Sequence, residues 1–378
     1  MTWAGVSARR LARSHLLAPA SGAAEVAAAL CGVHAQIQSA AELSIGRRLA
    51  SATVTDVRRA LWDERSLVKT FGPRGTVHFL SSADLPMWTG ALSSLPSSVP
   101  QHPDPVRFTP DQADEVVAAI GDSLADGPLT VDELTAAIEE RTGPWAVEAT
   151  MDAFGVKWPR WRQLTSTAAH RGVLCFGPNR GRNVTYTNPR SWLPGFRAPD
   201  GGEALRELLR RYLVAYGPAT PQHFAKWLAI PPGRAVTLFE SLGGDLEPVD
   251  LEGQRCWVVA GDTETPSESP RALRLLPYFD AFVVAGQPRD RLFPDPAAAR
   301  ALAGGQAGNY PVVLMDGVVG GVWHQRRSGS RVAITVELLR TPTAMQRRQL
   351  DEEVRLVGRV VEATASFTIG RVTVGPHA

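Results

Sequence analysis

Hydrophobic and polar residues change period along this chain, and each change marks an element. Residues 7–18 (SARRLARSHLLA) alternate basic and apolar positions at helical spacing, and the pattern continues over 22–35 and 40–50 (AAELSIGRRLA). Thr55 reads as an N-cap ahead of DVRRALWDE. The period then shortens. In LVKTFGPRGTVHFL two β-rich runs flank Gly72-Pro73-Arg74-Gly75, which predicts a hairpin. Helices followed by a basic-tipped hairpin have the order of a winged helix-turn-helix, and the pattern sets a first module at 1–92.

Proline and serine interrupt the pattern over 93–110 (SSLPSSVPQHPDPVRFTP), which reads as a linker. A second cycle fills 111–200. Thr109 caps a helix to about Ala125, Thr130 and Glu133 have capping-box spacing, and WPRWRQLTSTAAHRG reads as a further helix. VLCFGPNRGRNVTYTN is a hairpin with Arg180 and Arg182 at its tip. Trp158 and Trp161 are expected in the scaffold, not as platforms for stacked bases. The third cycle, 201–262, has a helix over 203–216, TPQHFAKWLA, a helix from Pro231 to about Leu242, and the hairpin DLEPVDLEGQRCWVV. The cycles share a pattern and not a sequence. Region 263–378 differs. RLLPYFDAFVVAG, YPVVLMDGVVGGVWHQ and SRVAITVELL are strand-like, with Arg326-Arg327-Ser328-Gly329-Ser330-Arg331 as a hairpin tip. A helix from about Thr343 to Ala363 and a short strand end the chain. The fold class expected is therefore α+β: three tandem winged helix-turn-helix modules and a C-terminal α+β region with an Arg-rich hairpin.

Composition narrows the chemistry. The chain has 378 residues, 44% of them hydrophobic, so it has length for several cores. Net charge is only +2, but the bases are nearly all arginine, with lysine only at 69, 157 and 226. Planar guanidinium forks suit phosphates and guanine edges. Cys31, Cys175 and Cys256 are odd in number and far apart, which points to a reduced cytoplasm without disulfide framework or zinc site. Residues 16–33 read as an amphipathic helix and not a signal peptide, and no uninterrupted apolar run of membrane-spanning length occurs. There is no G-x-S-x-G elbow, no phosphate-binding G-x-x-x-x-G-K-[ST] loop and no H-E-x-x-H. Neither metal nor cofactor is expected.

The stretch His34-Ala35-Gln36-Ile37-Gln38-Ser39-Ala40 stands out at the end of the Ala-rich pattern. In a helix interior Gln36 and Gln38 would face different ways, whereas in an extended or turn segment both amides lie on one side. Such a pair can hold a water or a ligand edge from two directions. On spacing alone the pair reads first as an ordinary polar helix end.

Four stretches in order, HAQIQSA, KTFGPRGTVHFLSSADL, LLPYFDAFVVAGQPRDRLFP and GVVGGVWHQRRSGSRVAITV, resemble the AlkZ/YcaQ superfamily of winged-helix DNA glycosylases over nearly the whole chain. Gln36-Ile37-Gln38 is similar to the Gln-apolar-Gln motif of the AlkZ branch. The resemblance implies three tandem winged helices arranged as a C-shaped, DNA-sized cleft. It also implies hydrolysis of the N-glycosidic bond of alkylated purines, including interstrand crosslinks, with bulky N7-guanine adducts and antibiotic self-resistance in this branch. It makes Gln36 and Gln38 the catalytic pair, with Ile37 as their apolar anchor. His34, Thr76 and His78 are candidates for the DNA side of the site, with a capped structural histidine the alternative for His78. Arg180 and Arg182 are expected on phosphates, which fix register without reading sequence. His324, Gln325, Arg326, Arg327 and Arg331 form the hairpin expected to enter a groove, the alternative being a solvated turn. Asp280 and Arg291 are expected to make a structural ion pair or strand-end contact.

The chemistry favours neutral side chains. Alkylation at N7 makes guanine a cationic leaving group, so no strong acid is needed. What remains is to place a water at C1′. Few lysines argue against a Schiff-base lyase step, so a monofunctional enzyme is expected. Its partner would be double-stranded DNA carrying alkylated purines or crosslinks, met by a cytoplasmic, nucleoid-associated monomer. A non-catalytic winged-helix regulator is the alternative, and a protein that sequesters the alkylating toxin in an apolar pocket a third.

Overall fold

The computed structural model describes residues 1–96, 106–153, 155–266 and 271–377, so part of the linker expected at 93–110 lies outside the described residues. It is a mixed α+β chain that divides into two compact units. One comprises Met1–Asp63 and Leu209–Ala378, the other Glu64–Leu208. Among the described residues no helix is long and apolar enough to cross a membrane.

The unit Glu64–Leu208 is built on hairpins and capped helices. Leu67–Phe71 and Val77–Ser81 pair antiparallel, with Thr70 opposite His78. Arg74 and Gly75 take positive φ (62° and 66°) in the turn between them. Gly72 is needed for a different reason: a Cβ there would come within 2.8 Å of His78 Nδ1. The helices Pro110–Ser123 and Val131–Thr142 both start on reciprocal capping boxes, Thr109 with Gln112 and Thr130 with Glu133. The stretch expected as one helix at 158–172 is split into a strand Val156–Pro159, a 3-10 turn Arg160–Leu164 and a short helix Thr165–His170. Pro159 has no N–H to donate and disfavours helical backbone at Trp158 before it, so the strand ends there and the helix starts later. Trp161 is fully buried and donates through Nε1 to Thr135 Oγ1 at 2.9 Å, a scaffold role. Trp158 is half-buried beneath the Arg162 guanidinium.

In the other unit the helices begin earlier than the pattern suggests. Trp3–Arg13 is capped by Thr2, and Val54–Trp62 is capped by Thr53, not Thr55. Asp56, three residues beyond Thr53, completes a capping box that Thr55 cannot make. The Ala-rich helix stops at Ala29 instead of reaching residue 35.

The five-stranded sheet of this unit has strand order Leu273–Leu276, Val312–Met315, Val318–Ser328, Arg331–Leu338, Thr364–Ile369. The first four strands run antiparallel, and the last pairs parallel to its neighbour after the helix Ala344–Val360. The strand-like stretch at 274–286 is a strand only as far as Leu276. Pro277 ends it, and Asp280 caps a short helix Ala281–Ala285. One face of the sheet packs on the long helix through Trp323, Ile334, Val354 and Val357. The opposite face is covered at one end only, by Phe282, Phe293 and Leu11 against Leu314 and Val322.

His223 gives this unit a pH signature. It sits third in the helix Pro221–Leu228, and its Nδ1 accepts from the Thr220 N–H at 3.3 Å, which requires that nitrogen unprotonated. Burial, helped by Arg10, Lys226 and Arg289, pulls its pKa down to about 4. The unfolded chain therefore binds a proton between pH 6.5 and about 4 that the folded chain refuses. Stability is complete above pH 6.5 and falls as pH drops through that window, by roughly 2 kcal/mol from pH 7 to 5. His223→Gln keeps a capping residue at that position and is expected to flatten this dependence in denaturant titrations at the two pH values; an unchanged slope would show that other groups set it.

Candidate active site

Two residues of unusual backbone shape create the setting of the glutamine pair. Cys31 and Gly32 follow the helix Ala23–Ala29 at positive φ (48° and 91°), and the Gly32 N–H returns to the Ala27 carbonyl. This ends the helix and turns the chain. Val33–His34 is then extended, Gln36 lies in a bend, and Ile37 is extended (φ −104°, ψ 100°) as the residue before a new helix, Gln38–Gly46. The pair straddles a helix start. Gln36 is exposed, while Ile37 and Gln38 are half-buried.

Gln38 is oriented by its own helix. Its Nε2 donates to Glu42 Oε1 at 2.9 Å. Glu42 is 1% exposed and accepts two further bonds from Arg58, Nε at 2.8 Å and Nη2 at 2.9 Å. A carboxylate so paired only accepts, so it fixes which end of the amide is nitrogen and turns the Gln38 carbonyl oxygen away from it. Donation to a carboxylate also polarises the amide and strengthens its oxygen as an acceptor. Glu42 is a partner of the candidate pair that the glutamine motif does not contain. The signal for it was present, since Gln38 and Glu42 are four apart on a helix. Arg58, on the next helix, has no local signal.

The far end of the same helix is bolted down. Ser44 donates to Asp280 Oδ2 at 2.8 Å, and Arg48 meets both Asp280 oxygens at 2.8 Å. Both charged side chains of this pair are 0% exposed. Burial pushes the Asp280 carboxyl up, but Arg48, Ser44 and Arg47 outweigh it and hold its pKa below the usual range. Arg47 pairs with buried Glu353 on the helix Ala344–Val360, and a Cβ on Gly46 would come within 2.5 Å of Val360. Asp280 thus makes the expected structural ion pair with Arg48, while Arg291 pairs separately with Glu252 at 2.9 Å.

The remaining candidates divide by burial. His34 is buried and stacks on Phe279, ring centroids 4.7 Å apart, with His377 edge-on to the same phenyl at 5.8 Å. In the other unit His78 is buried with Nδ1 2.8 Å from the Thr76 carbonyl, and Thr76 Oγ1 donates to Pro73 O. His78 and Thr76 thus shape their own turn, whereas His34 packs on a ring far away in the chain. Arg180 is tied to Glu133 at 2.8 Å and to the Pro128 carbonyl, whereas Arg182 is exposed beside Gly181 (φ 62°) in the two-residue turn. On the Arg-rich hairpin the alternation of the strand separates the five candidates. Gln325 and Arg327 lie on the side of the long helix, and Arg327 donates to Val361 O at 2.8 Å just past the helix end. His324, Arg326 and Arg331 lie on the other side, with both arginines exposed.

Comparison with known proteins gives a consistent picture. Residues 27–360 match the family described as DNA glycosylase AlkZ-like. The interstrand DNA cross-link repair glycosylase of Streptomyces sahachiroi is 31% identical over 331 residues, covering 85% of this chain and 87% of that protein. The structure of Streptomyces sahachiroi DNA glycosylase AlkZ superposes with a TM-score of 0.82 at 28% identity, covering 98% of this chain and all of that one.

Proposed function

Because the chain belongs to the AlkZ-like family of DNA glycosylases, we propose that it hydrolyses the N-glycosidic bond of N7-alkylated guanine in duplex DNA. Bulky adducts and interstrand crosslinks are the substrates we assign to it, in repair or in self-resistance to an alkylating natural product. The relative from Streptomyces sahachiroi is named for cross-link repair. Membership of a glycosylase family sets the regulator reading aside.

The observation that carries the mechanism is the chain Gln38–Glu42–Arg58 at the start of a helix. The N7-alkylated base leaves with its positive charge, so the protein has to position a water and tolerate an oxocarbenium-like sugar. Gln36 and Gln38 accept from that water. Glu42 orients and polarises Gln38 without touching the substrate, which lets a neutral amide act with part of the basicity of a carboxylate. Normal purines keep their high barrier, and the site leaves them intact.

The absence of a lyase step is part of the proposal. Lys69 Nζ lies 4.9 Å from the Phe176 ring centre, in a cation–π contact. Lys157 pairs with Asp152 at 2.7 Å. Incubation with a duplex carrying N7-methylguanine is expected to release the free base and leave an intact abasic site. Absence of release from N7-alkyl and crosslinked duplexes alike overturns the enzyme, and a borohydride-trapped adduct overturns its monofunctional character.

The three-module reading is supported by element order. Helices precede a hairpin in each stretch, at Leu67–Phe71 with Val77–Ser81, Cys175–Arg180 with Asn183–Thr187, and Leu246–Leu251 with Gln254–Val259. We assign the modules to 1–92, 111–200 and 201–262, in a monomer acting on chromosomal DNA.

A further inference from the structure

The uncovered part of the five-stranded sheet has an ordered composition. Register places the side chains of this face in rows across three strands, all of them exposed except the half-buried His324 and Thr335. Ser328, Arg331 and Thr364 form the row nearest the hairpin tip, and Arg326, Ala333 and Ser366 the next. His324, Thr335 and Thr368 form the third. In the last strand Thr364, Ser366 and Thr368 are exposed, while Ala365 and Phe367, between them, pack against the long helix.

No carboxylate stands in these three rows. Glu337, in the following row, is held by Arg300 through two bonds of 3.0 Å, and Glu362, at the turn before the last strand, accepts from Thr55. For a chain with 38 acidic residues and a net charge of +2, an acid-free strip with two arginines is a departure from a mixed solvated surface. The strip is also low. Alanine and hydroxyl side chains separate the arginines, so a second backbone can approach closely. Alternate residues along the edge strand are about 6.7 Å apart, which is the scale of the step between neighbouring phosphates on one nucleic-acid strand.

Resting on the glycosylase reading, we propose that this sheet face is a docking track for the phosphodiester backbone of duplex DNA. Thr364, Ser366 and Thr368 donate their hydroxyls to successive phosphates, and Arg326 and Arg331 supply the charge. The hairpin then serves as one wall of a surface that extends to the edge strand and not only as a tip for groove insertion. Hydroxyls and arginines on phosphates position a protein without reading sequence, which suits an enzyme whose target is a modified base.

The test is fluorescence anisotropy with an undamaged labelled duplex, paired with single-turnover release of N7-methylguanine at saturating enzyme. Ser366→Glu is expected to weaken binding about tenfold or more, and Thr364→Val with Thr368→Val about threefold to fivefold. The release rate at saturation stays within about twofold of the unsubstituted protein, because these side chains are outside the glutamine site. Arg331→Ala should lower the log–log salt slope by about one. Thermal melting identifies a variant that fails to fold, and the valine pair, which preserves shape and β-propensity, then carries the test. Unchanged affinity in both variants overturns the docking track even if the protein is an active glycosylase. Failure of the unsubstituted protein to release any base overturns the glycosylase reading and leaves the binding comparison to be judged on its own.

Discussion

Gln38→Ala is expected to slow single-turnover release of N7-alkylguanine about a hundredfold, with the affinity for undamaged duplex unchanged. The Gln38 amide has a fixed pose. Glu42 holds the nitrogen, Arg58 holds Glu42, and the amide is thereby oriented at a helix start. Alanine removes the acceptor and keeps the helix. Gln36→Ala should have an effect of the same order, since a water held from two sides is poorly held from one. Some release should remain, because the cationic base is a good leaving group without help. Glu42→Ala provides the sharper distinction. It touches no substrate in this mechanism, so it should reduce release about tenfold by freeing the Gln38 amide to turn, and Glu42→Gln should recover part of that loss. Arg58 is largely exposed and can be solvated when its partner is removed, so a fall in release without a large fall in stability is expected. Full activity in both glutamine variants would remove the pair from the mechanism.

Asp280→Ala should produce the largest loss of stability in the molecule, about 3–5 kcal/mol. The cost arises from what remains. Arg48 is 0% exposed and would keep a buried charge with no carboxylate opposite it. Ser44 loses its acceptor and the Phe282 N–H its cap in the same substitution. Asp280→Asn keeps the cap and part of the hydrogen bonding, so it should fall between the parent and the alanine variant. Replacing Arg48 by Met together with Asp280→Asn is expected to restore most of the loss, because the unpaired charge is then gone. Denaturant unfolding of the three variants measures this. A loss below about 1 kcal/mol for Asp280→Ala would mean that water reaches Arg48 in the variant. Since Ser44 and Arg48 belong to the glutamine helix, base release should decline with stability in the single variants and recover in the double.

Much of the local structure was legible in the chain. Thr109, Thr130, Thr220 and Thr343 each precede a residue three positions on that returns a bond to the cap, and helices begin at all four. The hairpins at 67–81, 175–187, 246–259 and 318–338 follow alternating apolar positions around glycine-bearing turns. Local signals are ambiguous where two of them compete. Thr53 and Thr55 both precede a helical pattern, and only the Asp56 carboxylate chooses between them. The Ala-rich run has helical propensity through residue 35, but Cys31 and Gly32 turn the chain out of the helix.

The sequence by itself determined the α+β alternation, the caps and turns, and a pair of amides two residues apart. Those features depend on interactions within about four residues, where spacing is read directly. Only the tertiary structure decided what surrounds the amides. Arg48 and Asp280 are 232 residues apart, and Arg47 and Glu353 are 306 apart. No periodicity encodes such a pairing, because it depends on which faces meet once the sheet has formed. The same holds for the track of hydroxyls. TASFTI is an ordinary alternating strand, and its parallel pairing beside Arg331–Leu338 is what aligns its threonines and serine with the arginines of a hairpin. Gln36-Ile37-Gln38 was visible from the start as a motif. Its working shape, one exposed amide and one held by a buried carboxylate at a helix start, came from the fold.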